Sequence, residues 1–244
     1  MRVALLSDVH ANLEALDACL AHARGADQLA FLGDLVGYGA DAAAVVDAVM
    51  RKTAEGAIAI KGNHDEAIDG RVTYFNDQAR AALDWARKTL PAEQKHFLAH
   101  LPLRVDRGPM CFVHATADAP ERWDYVDSPG AAQKCADAAN AAYTFCGHLH
   151  DQILYFETAE GRMSAFVPTL DTAIPVRETR RWVAIVGSVG QPRDRNPAAA
   201  YATFDTERRE ITFHRVAYDH HAAAQKIRDA GLPETLAYRV EAGI

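Results

Sequence analysis

The chain has 244 residues and is acidic, with 26 Lys and Arg against 33 Asp and Glu for a formal charge of −7. At this length a core can bury roughly 70–75% of the unfolded surface without a disulfide staple, and 49% hydrophobic with 24% charged residues excludes a disordered or fibrous chain. The acidic balance, with no Lys/Arg run, argues against a surface built for DNA or RNA polymers.

The opening MRVALLSDVHANLEAL is apolar for too short a stretch to span a membrane, and it lacks the basic-then-apolar layout of a signal peptide. Val3-Ala4-Leu5-Leu6 reads as a buried strand, and Leu13, Leu16 and Leu20 share one face of a following helix. Leu29-Ala30-Phe31-Leu32 is a second strand, Val45, Val46, Val49 and Met50 mark a second helix, and Ala57-Ile58-Ala59-Ile60 is a third strand. This alternation predicts parallel pairing with right-handed crossovers. From Phe75 to Leu101 the pattern is helical, capped by Asn76 and reopened by Pro91. Strand-like runs follow at Met110–Val113, Tyr143–Cys146, Ile153–Phe156, Ser164–Val167 and Trp182–Val186. Tyr201–Phe204 and Glu210–Val216, split by Asp205-Thr206-Glu207-Arg208, read as a hairpin, and a helix follows Asp219. The expected architecture is one α/β domain over residues 1–244, with two sheets packed in layers. Cys19, Cys111, Cys135 and Cys146 form no CxxC pair and read as reduced, buried thiols of a cytoplasmic protein.

The chemistry-bearing residues fall where these strands end. Asp8-Val9-His10 follows the first, Gly33-Asp34 the second and Gly62-Asn63-His64-Asp65 the third. His114 follows the Met110–Val113 run, and Gly147-His148-Leu149-His150 follows Tyr143–Cys146. In open α/β sheets ligands bind outside the carboxyl ends of strands, so these groups are expected to converge. Imidazole nitrogens, carboxylates and one amide carbonyl suit Mn, Fe, Zn or Ni. The remaining histidines, His22, His96, His100 and His214, have no motif context and read as structural, and His220-His221 as a solvated helix start.

The order Asp-x-His, Gly-Asp, Gly-Asn-His-Asp, His, Gly-His-x-His resembles the calcineurin-like metallophosphoesterases. The segments SDVHANLEAL, GDLVGYGAD, KGNHDEAI, FNDQARAALDWARKTL, HLPLRV and GSVGQPRD resemble, in order, those of a small bacterial phosphodiesterase-like subgroup, and together they span almost the whole chain. The resemblance implies a four-layer α/β/β/α sandwich of two mixed sheets. It implies one divalent metal held by Asp8, His10, Asp34 and His150, and a second held by Asp34, Asn63, His114 and His148. Asp34 then bridges, as a carboxylate can, and a pair of metals about 3.5–4 Å apart clamps both oxygens of an in-line displacement. Two divalent ions outweigh two carboxylates and a bridging hydroxide, so the centre stays cationic inside an acidic protein and suits a phosphoester anion.

His64, outside both ligand sets in the family, is left to protonate the leaving group, with Asp65 either its orienting partner or a cap on the following turn. Asn12 either caps the first helix or touches phosphate, and the Gly187–Arg193 segment is either an ordinary glycine turn or, as the resemblance implies, brings Arg193 to a substrate phosphate. Two departures are visible: Ala115 follows His114 where the family has Gly, and Ile185-Val186 stand where it has Asn-Pro before Gly-Ser-Val-Gly. The expected activity is hydrolysis of small phosphodiesters or phosphomonoesters, including nucleotides, by a hydroxide bridging the metals. Hydrolysis of dinucleoside polyphosphates is the alternative enzyme, and a metal-binding scaffold without catalysis is the non-enzyme alternative. No membrane and no nucleic-acid polymer is expected as a partner.

Overall fold

The computed structural model describes residues 1–70 and 75–244. The first half runs β1 (Arg2–Leu6), α1 (Leu13–His22), β2 (Gln28–Phe31), α2 (Ala42–Ala54), β3 (Ile58–Ala59) and α3 (Asn63–Ala67). It continues through α4 (Asp77–Thr89), α5 (Ala92–His100), β4 (Arg104–Arg107), β5 (Met110–Val113), α6 (Pro129–Ala139) and β6 (Tyr143–Cys146). The remainder comprises β7 (Gln152–Glu157), β8 (Met163–Phe166), β9 (Ile174–Pro175), β10 (Trp182–Val186), β11 (Ala199–Asp205), β12 (Glu210–Val216), α7 (His220–Asp229) and α8 (Glu234–Ala242).

Two six-stranded mixed sheets result, in the orders β3-β2-β1-β11-β12-β9 and β4-β5-β6-β10-β7-β8. β1, β2 and β3 pair in parallel, as do β5, β6 and β10, while hairpins and antiparallel strands complete each edge. Strand alternation builds the layers. Along β1, Val3 and Leu5 face the inter-sheet core with Phe112, Phe145 and Phe204, whereas Ala4 and Leu6 face α1 and α2 with Leu16, Val45 and Val49. On the far side of the second sheet, Cys111, Val113, Cys146 and Ile185 pack against Ala132, Cys135 and Ala136 of α6. The order is therefore α/β/β/α. All four cysteines are buried free thiols.

The helix caps follow their sequence signals: Asn76 Oδ1 accepts from Ala79 N at 2.9 Å, and Asp219 Oδ1 accepts from Ala222 N at 2.9 Å. Several elements lie outside the expected pattern. β4 is a polar edge strand, and α6 is rich in Ala with Pro129 in its first turn after the Ser128 cap. The C-terminal helix is divided by Gly231 and Pro233 into α7 and α8. The third strand is only two residues long, because Gly62 and the helical Asn63 follow almost at once. The β11–β12 hairpin joins the first sheet beside β1, so sequence-distant strands complete it. Among the described residues, no helix is long and apolar enough to cross a membrane.

Candidate metal centre

β1, β2, β5 and β6 end at the same edge, and the loops leaving them are zipped together by main-chain hydrogen bonds. Asp8 N donates to Gly33 O (3.0 Å), His10 N to Asp34 O (2.9 Å) and Gly147 N to His114 O (2.8 Å). The Gly187–Gln191 turn belongs to this scaffold: Val189 N donates to Ser7 O, Gly190 N to Asp8 O, and Ser188 Oγ to Asp8 O, each at 2.9 Å. Holding side chains inward from such short loops requires unusual backbone. Asp8, His10, Asp34, His148 and His150 all have positive φ, from 47° to 71°, a conformation that disfavours non-glycine residues and clusters at functional sites. Glycine is required where the packing is tightest: a Cβ at Gly37, whose φ is +89°, would run into the His64 ring, and one at Gly147 would meet Asp8 and Ser7.

The structure brings the expected donors together. Asp8, His10 and His150 form one group, and Asp34, His114 and His148 another, with the donor atoms of each within 4.8 Å of one another. All are buried. Asn63 joins the second group, its Oδ1 3.2 Å from His114 Nε2. Asp34 lies between the groups, but by a single oxygen: Oδ2 is 3.7 Å from His10 Nε2 and 3.4 Å from His114 Nε2. Its Oδ1 instead accepts the main-chain N–H of His64 at 2.8 Å.

Whether these residues fit a cation can be read from their protons. His10 Nδ1 faces Val36 O (3.2 Å), His150 Nδ1 faces Gln191 O (2.6 Å) and His114 Nδ1 faces Leu32 O (2.7 Å). A carbonyl only accepts, so each Nδ1 carries a proton and each ring turns its Nε2 into the crevice. His10 Nε2 and His150 Nε2 face each other at 3.0 Å. His114 Nε2 likewise faces His148 Nδ1 at 3.1 Å, the Asn63 Oδ1 and Asp34 Oδ2. Nitrogens and oxygens gathered this closely need a proton or a metal between them, and ligand atoms about 2.0–2.2 Å from one ion stand about 3 Å apart. The donor set fits divalent metal.

Electrostatics agree. Burial pushes the Asp34 carboxyl up, but the surrounding imidazoles, His114 first, outweigh it and hold it well below the carboxylate range. Burial disfavours the His114 imidazolium, yet Asp34 and Asp8 together push it up to about 9, so in the metal-free protein a proton occupies a position a metal would take. Burial lowers His148 to about 3 and His10 well below its ordinary value, which leaves neutral, ligating rings.

A cleft of about 350 Å³ opens onto the second group and is lined by Asp34, Asn63, His64 and His148 together with Tyr38, Trp123, Tyr125, Arg193 and Arg239. His64 is directed into it, with Nε2 4.0 Å from Asp34 Oδ2 and a buried Nδ1 that has no hydrogen-bond partner. Burial lowers its pKa to about 4, and the negative charge of a docked phosphoester opposes that effect. Tyr125 stacks on His148 with ring centroids 4.2 Å apart.

For Asp65 and Asn12 the sequence left open a cap or a part in the chemistry, and the structure shows the cap. Asp65 does not reach the His64 ring. Its Oδ1 accepts from Leu35 N (2.9 Å) and Val36 N (3.3 Å), and its Oδ2 from Gly62 N (2.9 Å), so it ties the third loop to the second. Burial first, then the charge of Asp34, push its carboxyl up to about 7 against those bonds. Asn12 has no free edge for phosphate: Oδ1 accepts from Ala15 N (3.1 Å), and Nδ2 donates to Gly190 O (3.0 Å) and Tyr218 Oη (3.1 Å). Both are scaffold residues. The two departures from the family pattern also lie away from the cleft, since Ala115 is buried and Ile185 and Val186 fill the cores on either side of β10. The sequence reading missed the carbonyls of Leu32, Val36 and Gln191 that orient the rings, and Arg239, which no motif marks.

Comparison with known proteins bears on this geometry. The calcineurin-like phosphoesterase superfamily domain matches residues 1–209. Uncharacterized protein MJ0912 of Methanocaldococcus jannaschii is 34% identical, over 99% of this chain and 98% of its own. The crystal structure of a metallophosphoesterase from Sphaerobacter thermophilus superposes with a TM-score of 0.90 at 36% identity, covering 100% of this chain and 99% of that one. A hypothetical protein from Pyrococcus horikoshii, PH1004, shares the fold at a TM-score of 0.80 and 20% identity, covering 100% and 98%. With the family pattern spanning most of its length and its donors gathered from strand ends of both sheets, this chain belongs to the calcineurin-like phosphoesterase superfamily.

Proposed function

We propose that the chain is a phosphoesterase that binds two divalent cations and hydrolyses small phosphodiesters or phosphomonoesters. The observation that carries this reading is the set of buried ring nitrogens converging around Asp34 Oδ2, at 3.0 Å for His10 and His150 and 3.1 Å for His114 and His148. Asp8, His10 and His150 would hold one ion, Asn63, His114 and His148 the other, and Asp34 both. Metal held there would supply Lewis acidity toward a phosphoryl oxygen and would lower the pKa of water at the site. The protein's own part is to keep the ligand rings in one tautomer through Leu32, Val36 and Gln191, and to shield the site by burial. His64 delivers a proton to the departing oxygen from the cleft side, and Gly37 leaves room for its ring. A cleft of about 350 Å³ on a chain of charge −7 favours a small substrate over a long polyanion.

The test is metal analysis of the purified protein followed by a phosphoester panel on the same sample: a bis-aryl phosphate, cyclic nucleotides, monoesters and dinucleoside polyphosphates. Two metal equivalents with turnover of at least one small ester is expected. Metal-loaded protein that turns over none of them would overturn the reading, and steeply salt-dependent cleavage of long single strands would make the protein a nuclease instead.

A further inference from the structure

The cleft carries two arginines that, among the described residues, no acidic side chain pairs with. Arg193 follows the Gly187–Gln191 turn, and Arg239 comes from α8, an element that supplies none of the metal donors. Their guanidinium carbons lie over the same Tyr38 ring, 6.0 and 5.7 Å from its centroid. Arg193 Nη2 donates to Gln191 Oε1 at 3.2 Å, its guanidinium also bonds the Tyr38 hydroxyl, and Arg239 Nε donates to Ile244 O at 2.8 Å. Among the described residues, the buried Arg193 Nε has no partner. Elsewhere the chain pairs its arginines generously. Arg228 bonds Glu234 and Glu241, Arg181 bonds Glu157 and Asp137, and Arg122, which also lines the cleft, bonds Asp124.

An acidic protein that leaves two half-buried guanidiniums side by side incurs desolvation and mutual repulsion. Burial and then the charge of Arg193 lower the Arg239 pKa accordingly. The arrangement has a consistent use if an anion lies between them, since guanidinium forks match phosphate oxygens in pairs. The position sets which anion. The Tyr38 ring that carries both arginines also abuts His10 and His64, each with centroids 4.6 Å away. Tyr38 therefore has both the arginine pair and the metal-site histidines as neighbours, and all of them except His10 line one cleft. Neither arginine is among the metal donors, which leaves the pair free to take a phosphoryl group beside the one held at the metals.

We propose that Arg193 and Arg239 form a second anion subsite that takes a phosphoryl group other than the one hydrolysed. The substrate class is then a small phosphoester or phosphoanhydride bearing at least two phosphoryl groups. This rests on the two-cation phosphoesterase reading and narrows it.

The test is equilibrium binding by calorimetry to metal-loaded protein, with orthophosphate and with methylenediphosphonate, whose P–C–P bridge resists hydrolysis. The wild type should prefer the diphosphonate by about tenfold or more, the scale of a charged hydrogen bond. Arg193→Gln and Arg239→Gln should each lower that ratio by about tenfold, and Arg239→Lys should restore part of it, with melting curves reporting that each variant folds. An unchanged ratio in the glutamine variants, or proportional loss of both probes, overturns the subsite. A ratio that behaves as stated in a protein that hydrolyses no phosphoester would instead overturn the phosphoesterase reading and leave the subsite standing.

Discussion

At the end of α1, His22 Nδ1 meets the Tyr201 hydroxyl at 2.6 Å, and His214 sits between Asp171 Oδ1 at 2.8 Å and Thr203 Oγ1 at 3.0 Å. At the strand ends, His10, His114, His148 and His150 surround Asp8 and Asp34. Both regions combine imidazoles with carboxylate and backbone, and residue types alone do not separate them. Protons do. The Asp171 carboxylate fixes the His214 proton on Nδ1, so Nε2 accepts the Thr203 hydroxyl and every group is matched. In the crevice the same rule, applied through Leu32, Val36 and Gln191, turns three Nε2 atoms toward one another and toward the carboxylates. Backbone tells the same story: five crevice donors have positive φ, whereas His22, Thr203 and His214 lie in regular helix and strand. A closed hydrogen-bond chain stabilises a fold, and a convergent cluster of nitrogens and carboxylates suits a cation.

The sharpest way to break this contrast is to remove the carboxylate that both donor groups share. Asp34→Ala should lose at least one metal equivalent and fall to background hydrolysis, because the repulsion between the cations is then unscreened. Elemental analysis showing two full equivalents in that variant would sink the bridging role. Asp8→Ala should weaken mainly the site built on His10 and His150.

Next in size is His64→Ala. Positioned proton transfer contributes about 10²–10⁴-fold, so kcat should drop by that order with metal content retained. The loss should be smaller for nitrophenyl esters than for alkyl esters, whose leaving groups need the proton. Equal losses on both would show that His64 only binds phosphate.

Asp65→Ala should act on stability more than on chemistry. It strands three buried N–H groups, each costing about 1–3 kcal/mol when unmatched, so thermal unfolding should register at least about 2 kcal/mol. A variant as stable as the wild type but catalytically dead would return Asp65 to the reaction.

The smallest effect sharpens the other side of the comparison. Burial holds the His214 pKa below its ordinary value against the pull of Asp171, while the charges of His22 and Arg2 act with burial. The ring gains proton affinity on unfolding, where its pKa is about 6.5. Its contribution is present above that pH and is lost as pH falls toward the folded value. His214→Gln should therefore flatten the acid limb of the stability–pH profile and leave metal content and turnover within about twofold. Loss of metal in this variant would mean that the two regions are one site.

How much of this was legible in the sequence follows the physics of each signal. Short apolar runs ending in Asp, Asn, His and Gly marked the strands and the donors, because in a parallel sheet one edge collects every such ending. Polar β4 and alanine-rich α6 escaped, since neither carries the alternation or the apolar stripe that betrays an element. The junction of the β11–β12 hairpin with β1 escaped because pairing between distant strands leaves no local trace. The local caps of Asp65 on Gly62 and of Asn12 on Ala15 were legible, whereas their partners from distant loops, Leu35 and Val36 for Asp65 and Gly190 and Tyr218 for Asn12, only coordinates show. Arg239 lies on an amphipathic helix, where a lone arginine looks like any solvated one.

The central claim is that seven side chains hold two cations with Asp34 between them. Anomalous diffraction from crystals grown with Mn²⁺ tests it most directly. Two peaks are predicted, one among Asp8, His10 and His150 and one among Asn63, His114 and His148, with Asp34 Oδ2 in contact with both. A single peak, or density at neither group in protein that elemental analysis shows to be loaded, would contradict it.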